Sequence, residues 1–525
     1  MRPESSILAM SLLCLTCCTK NFSSLPSDNT VPYPAGNGEI VLGKQLDNPY
    51  NIKNVKAAYH SLYGRDPGDD IQFTDWYVRF LPSDSGQMDE LKAMGINLLD
   101  HPVDYEIIRE GDWYHDPSLD DDAITWQYAV VPHDFVFPKG ITCERLQQCF
   151  LAENSPASKA AGDIDWAALE HEAYRLSGNL AMLDEYSATK ADDGISPSGR
   201  ITIIDPDHND GQPCGVSGVK VECNVFVKFS SAYTDADGYY KIPKNFTAKP
   251  RYRLVFSNVK GFNLGFNSIL YKGSVSNLGK ASPAGLNLCV EGDSEDKLYR
   301  RCVVNNAAYD YYTACDSEHM NIDAPPSGLC IWMFTDLNTS SAVMLHHGTV
   351  LPDNIMNEYY LLAAWIVKLF GPDLTIGVQG QQSYKQMYAT TIHELAHASH
   401  FSKVGVDYWN NVVYHILQAY TSGGETYGGS EGEKSGYCEI AEMWGYYMES
   451  RMYKQRYGGA NPMFGSSYWF HPQRLIYLES RGMKVSEIFA AMVPEVIDGA
   501  SLKDKLIELY PSKRTNILQI FNRYE

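Results

Sequence analysis

The spacing of apolar and polar positions changes character along the chain. Phe73 to Phe80 (FTDWYVRF) alternates as a strand does, and Ile107 to Trp113 reads as extended. Gln87 to Met94 and Asp163 to Leu176 (DIDWAALEHEAYRL) carry apolar residues at helical intervals. Residues 46–190 therefore predict an α+β accessory domain. From about 196 the pattern shortens: Ile201–Ile204, Gly218–Cys223, Val225–Phe229, Tyr239–Ile242 and Tyr252–Phe256 are strand-like runs. Polar clusters such as Asp205–Gly211 and Asp235–Gly238 separate them, which predicts a small antiparallel β-sandwich over 196–275. Beyond 285 longer elements return. Helices are expected over Asp296–Ala314, Asn354–Phe370 and Tyr384–Phe401, with strands at Leu329–Phe334 and Leu374–Val378. Helical stretches at Val485–Met492 and Leu502–Tyr510 close a mixed α/β domain over 285–525. The expected fold class is multidomain α+β.

The N-terminus has a different pattern. Arg2 precedes an apolar run, Ile7 to Leu15, too short to anchor stably across a bilayer. It ends in Leu15-Thr16-Cys17-Cys18, which resembles a bacterial lipobox. That resemblance implies cleavage, acylation at Cys18 (or Cys17), and an exported outer membrane lipoprotein of a Gram-negative bacterium. Residues 1–18 are then a signal, and 19–45, rich in Ser, Pro, Gly and Asn, a flexible tether. Which membrane face the protein occupies stays open.

Composition narrows the partners. At 525 residues, 44% hydrophobic and 20% charged, the chain has the means to build several packed cores. Its net charge of -21 excludes a nucleic-acid backbone as partner, because phosphate contact needs a basic surface. Eight of the nine cysteines from Cys143 onward fall into close successive pairs, compatible with four local disulfides after export. Cys438 is left over and reads as a buried thiol.

Two stretches carry chemistry or kinship. The phrases GVSGVKVEC, YTDADGYYKIP and YRLVFSNVKGF within 215–262 resemble the carboxypeptidase-regulatory-like, transthyretin-like domains of surface proteins, which implies a structural role. Asp205, Asp207 and Asn209 have calcium-loop spacing, but Asp210 takes the place of its glycine and no closing Glu follows, so a solvated turn is expected.

The second is Ile392-His393-Glu394-Leu395-Ala396-His397, an HExxH motif. A spacing of four places both imidazoles on one helix face, where both reach one metal ion. Glu394, next in sequence, is placed to take a proton from water as general base. Zinc is the expected cofactor, because it brings the pKa of a water toward ~7. A catalytic zinc needs a third protein ligand. Position 403 is Lys, which excludes the metzincin solution, and Tyr420 to Ser422 offer no carboxylate at the common gluzincin spacing. Further on, Ile440, Trp444, Tyr447 and Arg451 recur at helical intervals, and Glu439 and Glu442 lie one turn apart among them. Either could be the ligand, as could Glu425, Glu431 or Glu433 in the preceding loop.

The pair of segments resembles long-spacer gluzincins of the lethal factor type, in which a Glu opening a Glu-aromatic-aromatic-Ala run is the third ligand. The resemblance implies Glu442, with Met443 and Gly445 departing from that run. It also implies an edge strand beside the metal that holds extended substrate, a role the Leu374–Val378 strand before the motif suggests. Tyr427 and Tyr437 are candidate oxyanion donors; His400 is expected either near the ligands or at the surface, and His346-His347 in a loop.

The expected function is zinc-dependent hydrolysis of peptide bonds in a protein or peptide substrate, glycosylated proteins included. An endopeptidase is favoured because no residue set marks a pocket for a chain terminus. The alternative is a non-catalytic surface binding or assembly lipoprotein with a vestigial zincin scaffold.

Overall fold

A computed structural model of the chain describes residues 18–19, 39–120, 123–155, 164–183, 194–266, 274–292, 297–335, 337, 339–350, 371–379, 383–421, 426–461, 464 and 467–524. The fold is mixed α+β, with eleven α-helices and several antiparallel sheets among the described residues. All of the expected signal but Cys18 lies outside these residues, as do most of the tether and the expected Asn354–Phe370 helix.

The last part of the expected tether is regular structure. Ile40 is buried and Val41–Gln45 pairs antiparallel with Tyr105–Arg109, so the last residues assigned to a linker form a strand. Helix Ile52–Tyr63 is capped by Asn51, whose side chain accepts from the Lys53 N–H, and ends at Gly64. It packs on helix Trp166–Leu176. Beside them a three-stranded antiparallel sheet has Asp75–Leu81 at its centre, between Gln127–Pro132 and Thr142–Cys149.

Two small sheets follow. One is four-stranded, in the order Lys228–Tyr233, Lys220–Val225, Arg251–Val255, Val275–Lys280, all antiparallel. The other joins Tyr239–Lys241, Ser198–Ile203 and Leu288–Val290, with Cys214–Gly215 at its side. Ile201, Ile203, Val221, Cys223, Tyr252 and Leu254 alternate inward and share one core. Leu288–Val290, beyond 285, returns to this pair of sheets, whereas Asn263–Phe266 leaves it to join the sheet under the motif helix.

That third sheet has the order Cys18–Thr19, Thr339–Ala342, Leu374–Gly377, Cys330–Phe334, Asn263–Phe266. The last three are mutually parallel, Thr339–Ala342 runs antiparallel, and Cys18–Thr19 runs antiparallel to it. The strand before the motif is therefore interior, not the edge expected from its position. Its four residues are all buried, as a strand covered on both sides requires. Thr339–Ala342, a short polar stretch with no apolar pattern to reveal it, lies next to that strand, and the two residues Cys18–Thr19 hold the edge.

The cysteines correct a second expectation. All nine from Cys143 onward are thiols. Cys143 and Cys149 show why sequence proximity misleads: both lie on the strand Thr142–Cys149, where six residues span about 20 Å, far beyond the ~7 Å reach of a disulfide.

Candidate metal centre

The motif helix, Tyr384–Val404, starts where the Gln386 side chain accepts from the Ser383 N–H (2.9 Å) and stops at Gly405. Every residue from Met387 to Phe401 is buried, so this helix is packed on all sides rather than amphipathic. It lies on the strands Thr339–Ala342 and Leu374–Gly377 and against the helix Ser435–Tyr457, itself buried throughout from Ile440 to Glu449. At Gly445 the second helix passes directly against His393 and His397 of the first.

This contact brings His393, His397 and Glu442 together, one donor atom from each within 4.8 Å of the others. Glu442 Oε2 lies 3.3 Å from His393 Nε2, and Glu442 Oε1 lies 3.4 Å from His397 Nε2. Ligands held about 2.0–2.1 Å from a tetrahedral zinc stand roughly 3.3 Å apart, so the donors fit that ion in both type and spacing. Glu394 is wholly buried beside them, and none of the four is more than 1% exposed. Glu394, Glu442 and Glu449 are three buried carboxylates around two imidazoles, an arrangement that a divalent cation stabilises.

Glu449, which no motif spacing singles out, adjoins the cluster. Its Oε2 accepts from His393 Nδ1 at 2.9 Å, and its Oε1 accepts from Asn461 Nδ2 at 2.9 Å. Holding Nδ1 as the N–H side directs His393 Nε2 toward Glu442, the usual way a second carboxylate orients a ligand histidine. A signal existed: Glu449 follows Glu442 by seven residues, hence on the same face of the helix. Burial lowers the His393 pKa, but the carboxylates of Glu442 and Glu449 outweigh it and hold it at about 9. Burial raises the Glu442 carboxyl, yet the two histidines prevail and leave it below its ordinary value.

Gly445, where the Glu-aromatic-aromatic-Ala run has alanine, has a local reason for its size. A Cβ there would stand 2.9 Å from His393 Cε1 and Nε2 and 2.9 Å from His397 Cε1. Only glycine lets the helix backbone pass this close to both imidazoles.

The other candidates separate. Glu439, the alternative ligand, points elsewhere: its Oε1 accepts from Arg474 Nη1 (2.7 Å) and its Oε2 from the Gly499 N–H (2.8 Å). Glu431 and Glu433 lie outside the cluster, and Glu425 lies outside the described residues. The Tyr427 hydroxyl is buried and 2.8 Å from that of Tyr446, whose ring meets His393 at 4.5 Å. Tyr437 instead packs on Tyr408. His400 is fully buried against Tyr408 and Trp409, not at the surface, and burial, with His397, drives its pKa to about 3. His347 pairs with Asp373 (2.9 Å). The calcium-spaced residues are occupied: Arg456 and Tyr457 bind Asp205, and Lys385 binds Asp207. Cys438 is buried, with its sulfur 4.0 Å from the Tyr427 carbonyl oxygen.

Comparisons with protein-family models, curated proteins and solved structures find no match to this chain. Among the described residues no helix is long and apolar enough to cross a membrane.

Proposed function

We propose that this chain is a zinc-dependent peptidase, an endopeptidase, in which His393, His397 and Glu442 hold the metal. The observation that carries the reading is the approach of Glu442 to both Nε2 atoms at 3.3 and 3.4 Å, with Glu394 on the same helix. When bound, zinc supplies Lewis acidity, which makes water nucleophilic at neutral pH and polarises a carbonyl. Glu394 accepts the proton of the attacking water and returns it to the leaving amine. Glu449 fixes His393, and the Tyr446 ring, whose hydroxyl meets that of Tyr427, packs edge-on against the same imidazole. Tyr427 remains the oxyanion candidate of this reading, ahead of Tyr437.

Substrate positioning falls to Thr339–Ala342. The Ala342 carbonyl oxygen accepts from Trp409 Nε1 (2.7 Å), and the Trp409 ring lies 5.8 Å from that of His397, which ties this strand to the metal helix. Its outer side is paired antiparallel with Cys18–Thr19, and in this reading an extended substrate takes the place of those two residues. In the same reading, the chain from Lys297 onward with the strand Asn263–Phe266 forms a zincin-like peptidase domain, the two small sheets (Leu288–Val290 included) a transthyretin-like β-sandwich, and the region before them an accessory domain. Export as a lipoprotein anchored at Cys18 completes the proposal.

One observation favours the non-catalytic alternative. The three donors and Glu394 are at most 1% exposed, so a peptide reaches them only after surrounding segments part. The deciding experiment is hydrolysis of an unfolded protein such as reduced casein by zinc-loaded wild type and Glu394→Gln. Cleavage that is lost in Glu394→Gln at equal zinc content supports the peptidase. Equal traces for the two proteins refute it.

A further inference from the structure

A second built site lies far from the motif in sequence and shares no residue with it. It is a cavity of about 820 Å³ between the N-terminal region and the outward face of the four-stranded sheet. Its floor is a cross-strand row: Glu222, Arg253 and Asn277 are direct register neighbours on three adjacent strands. Strand alternation sends Tyr252 and Leu254 into the core and Arg253 the other way, toward the cavity. An arginine on that face is expected to reach water. Here the N-terminal region covers it, and Arg253 is 1% exposed.

The hydrogen bonds of the floor are incomplete in a specific way. Arg253 Nε donates to Glu222 Oε1 (2.8 Å) and Nη2 to Asn224 Oδ1 (2.6 Å), while Nη1 is buried and finds no acceptor among the described residues. Asn277 Nδ2 donates to the Gly111 carbonyl, but its Oδ1 is buried without a donor among the described residues. Ser274 Oγ, which also lines the cavity, is likewise buried without a partner among the described residues. A buried polar atom without a partner costs about 1–3 kcal/mol, so three lining one cavity point to something that completes them. Their chemistry defines the complement. A guanidinium N–H and a hydroxyl suit a carboxylate, and an amide oxygen beside them suits a hydroxyl donor.

Charge and shape agree. Five cationic side chains and four carboxylates line the cavity, and the difference of one favours a monoanion over a dianion. Glu222 is engaged by Arg253 and by Lys220 (3.2 Å), and Asp100 by the Tyr114 N–H (2.7 Å) and His101 (2.7 Å), so these acids already have partners. Trp113, 45% exposed, and Tyr114 offer ring faces at the rim. The volume lies within the 300–1,000 Å³ of ordinary small-molecule sites.

We propose that this cavity binds a hydroxylated carboxylate monoanion with a ring face, namely an acidic sugar. Arg253 Nη1 and Ser274 Oγ hold the carboxylate and Asn277 Oδ1 receives a hydroxyl. None of the metal donors lines it, so the site stands or falls independently of the peptidase reading.

Isothermal titration of the full chain with glucuronate, N-acetylneuraminate and inorganic phosphate tests this, with glucose as the neutral control. The expected result is saturable binding of at least one sugar acid and none of glucose. Ser274→Ala, whose hydroxyl bonds to nothing within the described residues, is expected to keep the fold and weaken that binding severalfold. Arg253→Lys, which keeps the charge beside Glu222 but loses the second arm, is expected to weaken it roughly tenfold or more. If Arg253→Lys does not fold, Ser274→Ala alone decides. Absence of saturable heat with both sugar acids up to about 10 mM, tighter binding of phosphate, or unchanged affinity in the variants would overturn the proposal.

Discussion

Replacing Gly445 by alanine adds one methyl group at the crossing of two helices that are buried on every side. The new Cβ would lie 2.9 Å from three imidazole atoms of His393 and His397, where ordinary carbon contacts are about 3.5–4.0 Å. Either the helices separate or the rings rotate, by about half an ångström or more. A zinc site tolerates ligand displacements of roughly 0.2 Å, so the variant should bind zinc at least about tenfold more weakly. The apo protein carries a second readout of opposite sign to the naive expectation. Glycine to alanine in a helix interior stabilises by about 0.5–1 kcal/mol through propensity alone, whereas overpacking a tight core costs about 1–3 kcal/mol. The net effect expected is a lower midpoint. Competition for zinc against a chromophoric chelator, with thermal unfolding of the metal-free protein, measures both. Wild-type zinc affinity together with a raised midpoint would refute the reasoning, since it would mean that the backbone at 445 does not touch the ligand histidines.

Other outcomes follow from the same contacts. Glu449→Gln keeps the shape of the carboxylate that holds His393 Nδ1 but removes its charge; zinc affinity by chelator competition should fall about 10- to 100-fold with little change in fold. Glu439→Gln should leave zinc content intact while lowering the unfolding midpoint, because Glu439 holds Arg474 and the Gly499 N–H rather than the metal. Arg456→Met strips the buried Asp205 of its guanidinium partner at 3.0 Å and Asp310 of its partner at 3.2 Å. Denaturant unfolding should register a loss of roughly 3 kcal/mol without altering zinc stoichiometry.

Local order was the legible part of this fold. Runs such as Asp75–Leu81, Lys297–Cys315 and Tyr384–Val404 lie within a few residues of where their periodicity places them, because each is decided by neighbours along the chain. Sheet membership was not, because it is settled by pairing partners far away in sequence. Nothing in Asn263–Phe266 marks it as a parallel neighbour of Cys330–Phe334, nor Leu288–Val290 as a partner of Ser198–Ile203. Thr339–Ala342 is buried yet carries Thr, Ser, Ser and Ala, so hydrophobic patterning passes over the strand that borders the metal helix.

The site divides along the same line. His393, Glu394 and His397 are legible because one helical turn relates them. Glu442 needed the further argument that a carboxylate in an apolar helix requires a cation. A carboxylate that orients a ligand was expected from the Glu439–Glu442 pair, whereas Glu449, two turns beyond Glu442, is the one that meets His393, a pairing between helices that spacing within one segment alone does not reveal. Gly445 looked like a departure from a pattern until the imidazoles beside it were located.

The most direct test of the metal centre is zinc bound per chain, measured by mass spectrometry of metals after dialysis, for wild type, Glu442→Ala and Glu439→Ala. The account requires one zinc in wild type and in Glu439→Ala, and loss of it in Glu442→Ala. No tightly bound zinc in wild type after reconstitution, or retention of it by Glu442→Ala, would contradict the account.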